Sequence, residues 1–256
     1  FYPDLLDSRF TSSFAIFHQR YSTNTFPTWR LAQPFRMLSH NGEFNTIRGN
    51  TNWMKSHETR ATSDVFGEFN DEIFPLIEPD ASDSMAADAV VEGLVYAGRP
   101  LPAAHCMVIP ESWSHRPHMP VTHRDYFAYC NCVIEPWDGP AAIAASDGRW
   151  VIAGMDRNGL RPLRYTVTEN DLLVVGSESG MVPIHESKIV EKGRLGPGQM
   201  IGVIGASIGP IPLGMAFDLT DDYKLTLIGL AILPALVGIL TQFLKEPKLV
   251  SKEIVN

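Results

Sequence analysis

The stretch from Ala141 to Ser177 limits the fold more than any other part of the chain. It holds four short runs, AAIAA, RWVIAGM, LRYTVT and DLLVVGS, each of strand length and strand composition. Turn chemistry separates them: Asp147-Gly148 after the first, Arg157-Asn158-Gly159 after the second, Glu169-Asn170-Asp171 after the third. The pattern predicts an antiparallel meander. Upstream, Met85, Ala89, Val90, Leu94 and Val95 approximate one helical face in MAADAVVEGLVYAG, with Ser82 or Asp83 as N-cap and Gly98 as a stop. Helices and antiparallel strands in separate stretches make the chain α+β.

The stretch from His18 to Trp53 is dense in polar residues yet patterned, and it reads as a binding site. Phe14 to Phe17 is a short apolar run that predicts a buried strand delivering His18 and Arg20 to its end. A second run, Phe35 to Leu38, leads into Ser39-His40-Asn41-Gly42. Asn-Gly predicts a turn with a backbone N–H pointing outward. Asn41 and Gly42 could then aim two donors at one point. Acyl transfer needs such donors, because negative charge gathers on a former carbonyl oxygen, and losing one costs about 2.7–4 kcal/mol.

Three segments of this stretch, HQRYSTNTFP, LAQPFR and HNGE, closely resemble the glutamine amidotransferase domain of the glutamate synthase large subunit. EPWDGP, DRNGLRP and GRLGPGQM resemble signatures of the same family, and the resemblance covers roughly the first 200 of the 256 residues. It implies a class II amidotransferase of the N-terminal-nucleophile hydrolase type, a four-layer α/β/β/α sandwich, here incomplete at its N-terminus. It further implies that Arg20 binds the carboxylate of L-glutamine, that Asp83 meets its α-amino group, and that Asn41 and Gly42 form the oxyanion hole. The family's nucleophile is a cysteine at the mature N-terminus, and Cys106, Cys130 and Cys132 follow the wrong motifs to replace it. The complete enzyme would use FMN and an iron–sulfur cluster, neither expected in this chain. Arg30 stands where the family usually has proline, and Phe44 where isoleucine is common.

Composition narrows the partners. A formal net charge of −8 and no basic run argue against nucleic acid. Three cysteines, odd in number and unevenly spaced, favour free thiols in a reducing, cytoplasmic compartment. The segment from Ala61 to Glu92 carries nine acidic residues without Lys or Arg, the pattern of a solvated face. His115, His118 and His123 lie among prolines that break any shared helical face, and their spacing matches no zinc pattern, so the segment is expected to be a loop. Residues 204–224 read as a linker after the 1–203 domain. Leu225 to Leu244 then runs for twenty residues without a charge, long enough to span a bilayer or to dock on a partner.

Two functions follow from these readings. One is the C-terminal portion of a glutamate synthase amidotransferase domain, inactive without its cysteine and working with the remaining domains or subunit. The other is a non-catalytic amino-acid-binding module anchored to a membrane or partner by residues 225–244. A purine-pathway amidotransferase is disfavoured, because RYSTNTFP and EPWDGP are peculiar to glutamate synthases.

Overall fold

The computed structural model describes residues 3–22, 25–114 and 116–204, so the expected linker at 204–224, apart from its first residue, and the apolar run at 225–244 lie outside the described residues. The described residues form four α-helices: α1 (Ile47–Glu58), α2 (Asp83–Tyr96), α3 (Leu101–Val108) and α4 (Val121–Val133). The strands are β1 (Leu38–Gly42), β2 (Ala141–Ser146), β3 (Trp150–Met155), β4 (Arg164–Thr168), β5 (Leu173–Gly176), β6 (Ile189–Arg194) and β7 (Met200–Ile204). They form two antiparallel sheets, ordered β1-β2-β3-β7 and β5-β4-β6.

Period-two alternation sorts the side chains of the first sheet onto two faces. Leu38, Ala141, Ile143, Ala145 and Ile152 face the helices and share a core with Ala87, Val90, Leu101, Met107 and Cys130. Ala142, Ala153 and Met155 face the other way and meet Leu163, Leu195, Tyr165 and Val175 of the second sheet and its flanks. Helices, sheet and sheet thus make three layers. Among the described residues no α-helix covers the outer face of the second sheet, which carries Arg164, Thr166 and Lys192.

The four strand-like runs are strands, but they are not one meander. β2 pairs with β3 and β4 with β5, and the two hairpins belong to different sheets. The cause is Asp156, whose buried carboxylate accepts four backbone N–H groups: Ala141 at 3.1 Å, Asn158 at 3.1 Å, Leu160 at 2.8 Å and Arg161 at 2.8 Å. Satisfied there, the chain after β3 bends out of the first sheet instead of pairing back onto it. The stretch expected as a loop is one only in part: 109–120 connects α3 and α4, but His123 lies in the first turn of α4, and His115 is outside the described residues.

Two further expectations are corrected. Phe14–Phe17 is not a strand, because among the described residues no neighbouring strand supplies a ladder; Phe17 is 62% exposed. Asn41-Gly42 is not a hairpin turn but the end of β1. Helix α2 starts as expected, with Ser82 rather than Asp83 as the cap: its Oγ accepts the Met85 N–H at 3.1 Å. Inside that helix Asp88 is buried, and its carboxylate accepts the N–H groups of Arg36, Met37 and Leu38 at 3.3, 2.9 and 2.8 Å, fixing the start of β1. On α3, the buried ring of His105 occupies the space beside Gly154, where a β-carbon would come within 2.4 Å of it.

Candidate active site

Alternation along β1 sends His40 toward the helices and Asn41 toward the second sheet. The ring of His40 stacks on Phe44, centroids 4.5 Å apart, and its Nδ1 lies 2.8 Å from Ser84 Oγ and 3.7 Å from an Asp83 oxygen. Burial pushes its pKa down to about 4, the Asp83 charge only partly opposing. His40 is therefore neutral near pH 7, and its contact with Asp83 is not an ion pair there. The free edge of β1 is held by the Gln33 side chain, which donates to the His40 carbonyl at 3.1 Å and accepts its N–H at 2.6 Å.

Gly42 follows from the same ladder. Glu43 N–H donates to Pro140 O at 2.9 Å, so the pair before it, Gly42 and Ala141, is a non-hydrogen-bonded one. The Gly42 N–H accordingly points away from β2, off the free edge of β1. A β-carbon on Gly42 would meet the Pro140 carbonyl oxygen at 1.8 Å, and one on Gly139 would meet the Glu43 carbonyl oxygen at 2.1 Å. HNGE and EPWDGP thus fit together because each glycine makes room for the other segment's backbone. Trp137 anchors the second segment, buried and edge-on to Phe44 at 5.5 Å.

Asp83 occupies the first turn of α2, where the helix dipole favours its charge. Its Oδ2 accepts the Phe44 N–H at 2.8 Å, placing the carboxylate beside the Asn41-Gly42 segment. The neighbouring Ser82 Oγ donates to Ser22 Oγ at 2.9 Å and so ties down the chain two residues after Arg20. His18 is near enough to His40 to depress its pKa further. Asn41, Gly42 and Asp83 are thereby brought together. Arg20 lies at the bend of the tied segment, exposed, with no ion pair to its guanidinium among the described residues.

The remaining candidates separate from this cluster. Arg30 pairs with Glu78, both about half exposed, at the mouth of a cavity of about 300 Å³ beside α2. Cys106 and Cys130 lie on α3 and α4, and burial raises both thiols, Cys106 to about 11, which suppresses the thiolate. Among the described residues no three His, Cys, Asp or Glu side chains converge as metal ligands. No described helix is long and apolar enough to cross a membrane.

The sequence profile of the class-II glutamine amidotransferases matches residues 1–207. The chain belongs to that family. It is 59% identical over 203 residues to the glutamate synthase [NADPH] large chain of Azospirillum brasilense, a match covering 79% of this chain and 13% of that protein. The corresponding large chain of Bacillus subtilis (strain 168) is 46% identical over 201 residues, covering 78% of this chain and 13% of the relative. The glutamate synthase [NADH] of Saccharomyces cerevisiae (strain ATCC 204508 / S288c) is 41% identical over 260 residues, covering all of this chain and 12% of that protein. The amidotransferase chain thus spans about an eighth of the length of these relatives.

Sequence reasoning passed over three residues that touch this cluster. Gln33 stands within a quoted motif, yet only the fold shows its carboxamide acting as a partner for β1. Arg161, in DRNGLRP, is near enough to His40 to lower its pKa, and its Nε is buried with no hydrogen-bond partner among the described residues. Ser177 follows β5 on the second sheet, and its Oγ accepts from Asn41 Nδ2 at 2.8 Å across 136 residues of sequence.

Proposed function

We propose that this chain is the glutamine-handling portion of a glutamate synthase large chain. The observation that carries the reading is the end of β1: the Gly42 N–H leaves the ladder next to the Asn41 amide, with the Asp83 carboxylate bonded two residues further on at Phe44 N. In this reading the Arg20 guanidinium takes the α-carboxylate of L-glutamine and Asp83 takes its α-ammonium group, selecting a free amino acid. The side-chain carbonyl of glutamine lies at Asn41 and Gly42, whose N–H groups stabilise the oxyanion as a thiolate attacks. Neither Cys106 nor Cys130 supplies that thiolate, since burial keeps both protonated. The ammonia released goes to other domains of the complete enzyme, where flavin and iron–sulfur chemistry makes glutamate.

The test is calorimetric titration of the 256-residue chain with L-glutamine, beside an assay for ammonia. One-site binding without ammonia release, weakened by Arg20→Ala, is the expected result. Absence of binding, or binding that neither Arg20→Ala nor Asp83→Asn alters, overturns the assignment.

A further inference from the structure

The oxyanion role of Asn41 depends on where its carboxamide points, and a terminal amide torsion is intrinsically broad. The backbone of Asn41 is fixed by the ladder to Ala142, but the ladder does nothing for the side chain beyond Cβ. That side chain projects between the two sheets, and the hydrogen bond from its Nδ2 to Ser177 Oγ, at 2.8 Å, crosses from one sheet to the other. Ser177 is itself only 7% exposed, so little water competes for the contact. A carboxamide has two N–H donors, and this bond uses one. The other has no acceptor among the described residues and is left for a ligand.

We propose that Ser177 is a positioning residue for the oxyanion hole: its hydroxyl holds the plane of the Asn41 carboxamide so that the second N–H stays aimed at the reacting oxygen. The inference rests on the oxyanion assignment of Asn41. It makes the second sheet, which contributes none of the proposed glutamine contacts, a determinant of turnover. Ser177 touches no reacting atom and acts only through Asn41, so its effect belongs in kcat and is absent from a protein without the Asn41 amide.

Two experiments test it. In the ¹⁵N-labelled 256-residue chain, Ser177→Ala should lower the order of the Asn41 side-chain amide. The Asn50 amide, held by the Glu135 and Pro136 carbonyls, should not change. In the A. brasilense large chain carrying this chain's 203 matched residues, Ser177→Ala should lower kcat for glutamine about tenfold, the worth of one hydrogen bond, and leave KM within about twofold. Ser177→Thr, which keeps the hydroxyl, should recover most of the loss. In an Asn41→Ala background Ser177→Ala should cost nothing further. An Asn41 amide that stays ordered in Ser177→Ala overturns the proposal, as does a kcat loss that multiplies with that of Asn41→Ala. If Asn41→Ala itself leaves kcat unchanged, the oxyanion assignment fails instead.

Discussion

Gly42 lies against the Pro140 carbonyl so closely that a β-carbon would sit 1.8 Å from its oxygen, and Gly139 stands in the same relation to Glu43 at 2.1 Å. Two motifs 97 residues apart therefore form one steric unit. Gly42→Ala and Gly139→Ala should each destabilise the fold by about 2–4 kcal/mol, since backbone rather than a flexible side chain must yield. Gly49→Ala is the contrast: nothing among the described residues lies within 4 Å of a β-carbon there, inside α1, and the change should stabilise by about 0.5–1 kcal/mol. Urea unfolding of the three variants measures both signs.

Asp156 holds four backbone N–H groups with one buried carboxylate. Asp156→Ala leaves all four without an acceptor and should cost about 3–5 kcal/mol, whereas Asp156→Asn, which keeps one acceptor oxygen, should cost about 1–3 kcal/mol. Equal losses for the two variants in urea unfolding would mean that one retained oxygen is worth nothing and that the bend needs both carboxylate oxygens or their charge.

Acid should destabilise the fold through two buried histidines. Burial lowers both His40 and His105 from 6.5 to about 4. Above pH 6.5 neither state binds the proton and nothing changes. Below it the unfolded chain takes up protons that the folded chain refuses, so stability falls until about pH 4, by up to about 1.4 kcal/mol per pH unit for each histidine. Asp88, Glu92 and Glu111, raised chiefly by burial, act in the opposite sense, because their folded forms hold a proton longer as pH rises. Their window begins near their unfolded values of 3.8 to 4.5 and extends upward, so they offset part of the fall due to the histidines. His105→Leu should flatten the fall between about pH 6.5 and 5, followed by urea midpoints; an unchanged slope would show that His105 does not contribute.

The site residues should divide by kinetic signature. In the A. brasilense large chain carrying these residues, Arg20→Ala and Asp83→Asn should raise KM for glutamine at least about tenfold through loss of charged contacts. Asn41→Ala should instead lower kcat by about 10²–10³ with little change in KM. Steady-state kinetics separates the two classes, and a KM effect confined to Asn41 would reverse the assignments.

The motifs, the helix from Ser82 and the turn residues are all legible in the sequence because each depends on neighbours within a few positions. Ser82 caps Met85, and Asp171 takes a positive φ of 60° at the turn closed by Thr168 and Leu172. What the sequence conceals is set at long range. Nothing local says that Asp156 turns the third run into another sheet, or that Asn41-Gly42 ends a strand instead of reversing the chain. The same two residues in an isolated hairpin would form the turn, but here β2 supplies a ladder for β1 and Gln33 covers its other edge. Ser177 carries no signal at all, since its partner lies 136 residues away.

The fit of His105 against Gly154 reaches beyond this one sequence. The imidazole fills the volume that a side chain at 154 would need, so the two positions hold a single allotment of space. A relative with alanine at the second position must carry something shorter than histidine at the first. Among homologues these columns should therefore change together, and a protein made by joining α3 of one to β3 of another will fold well only when both come from the same parent.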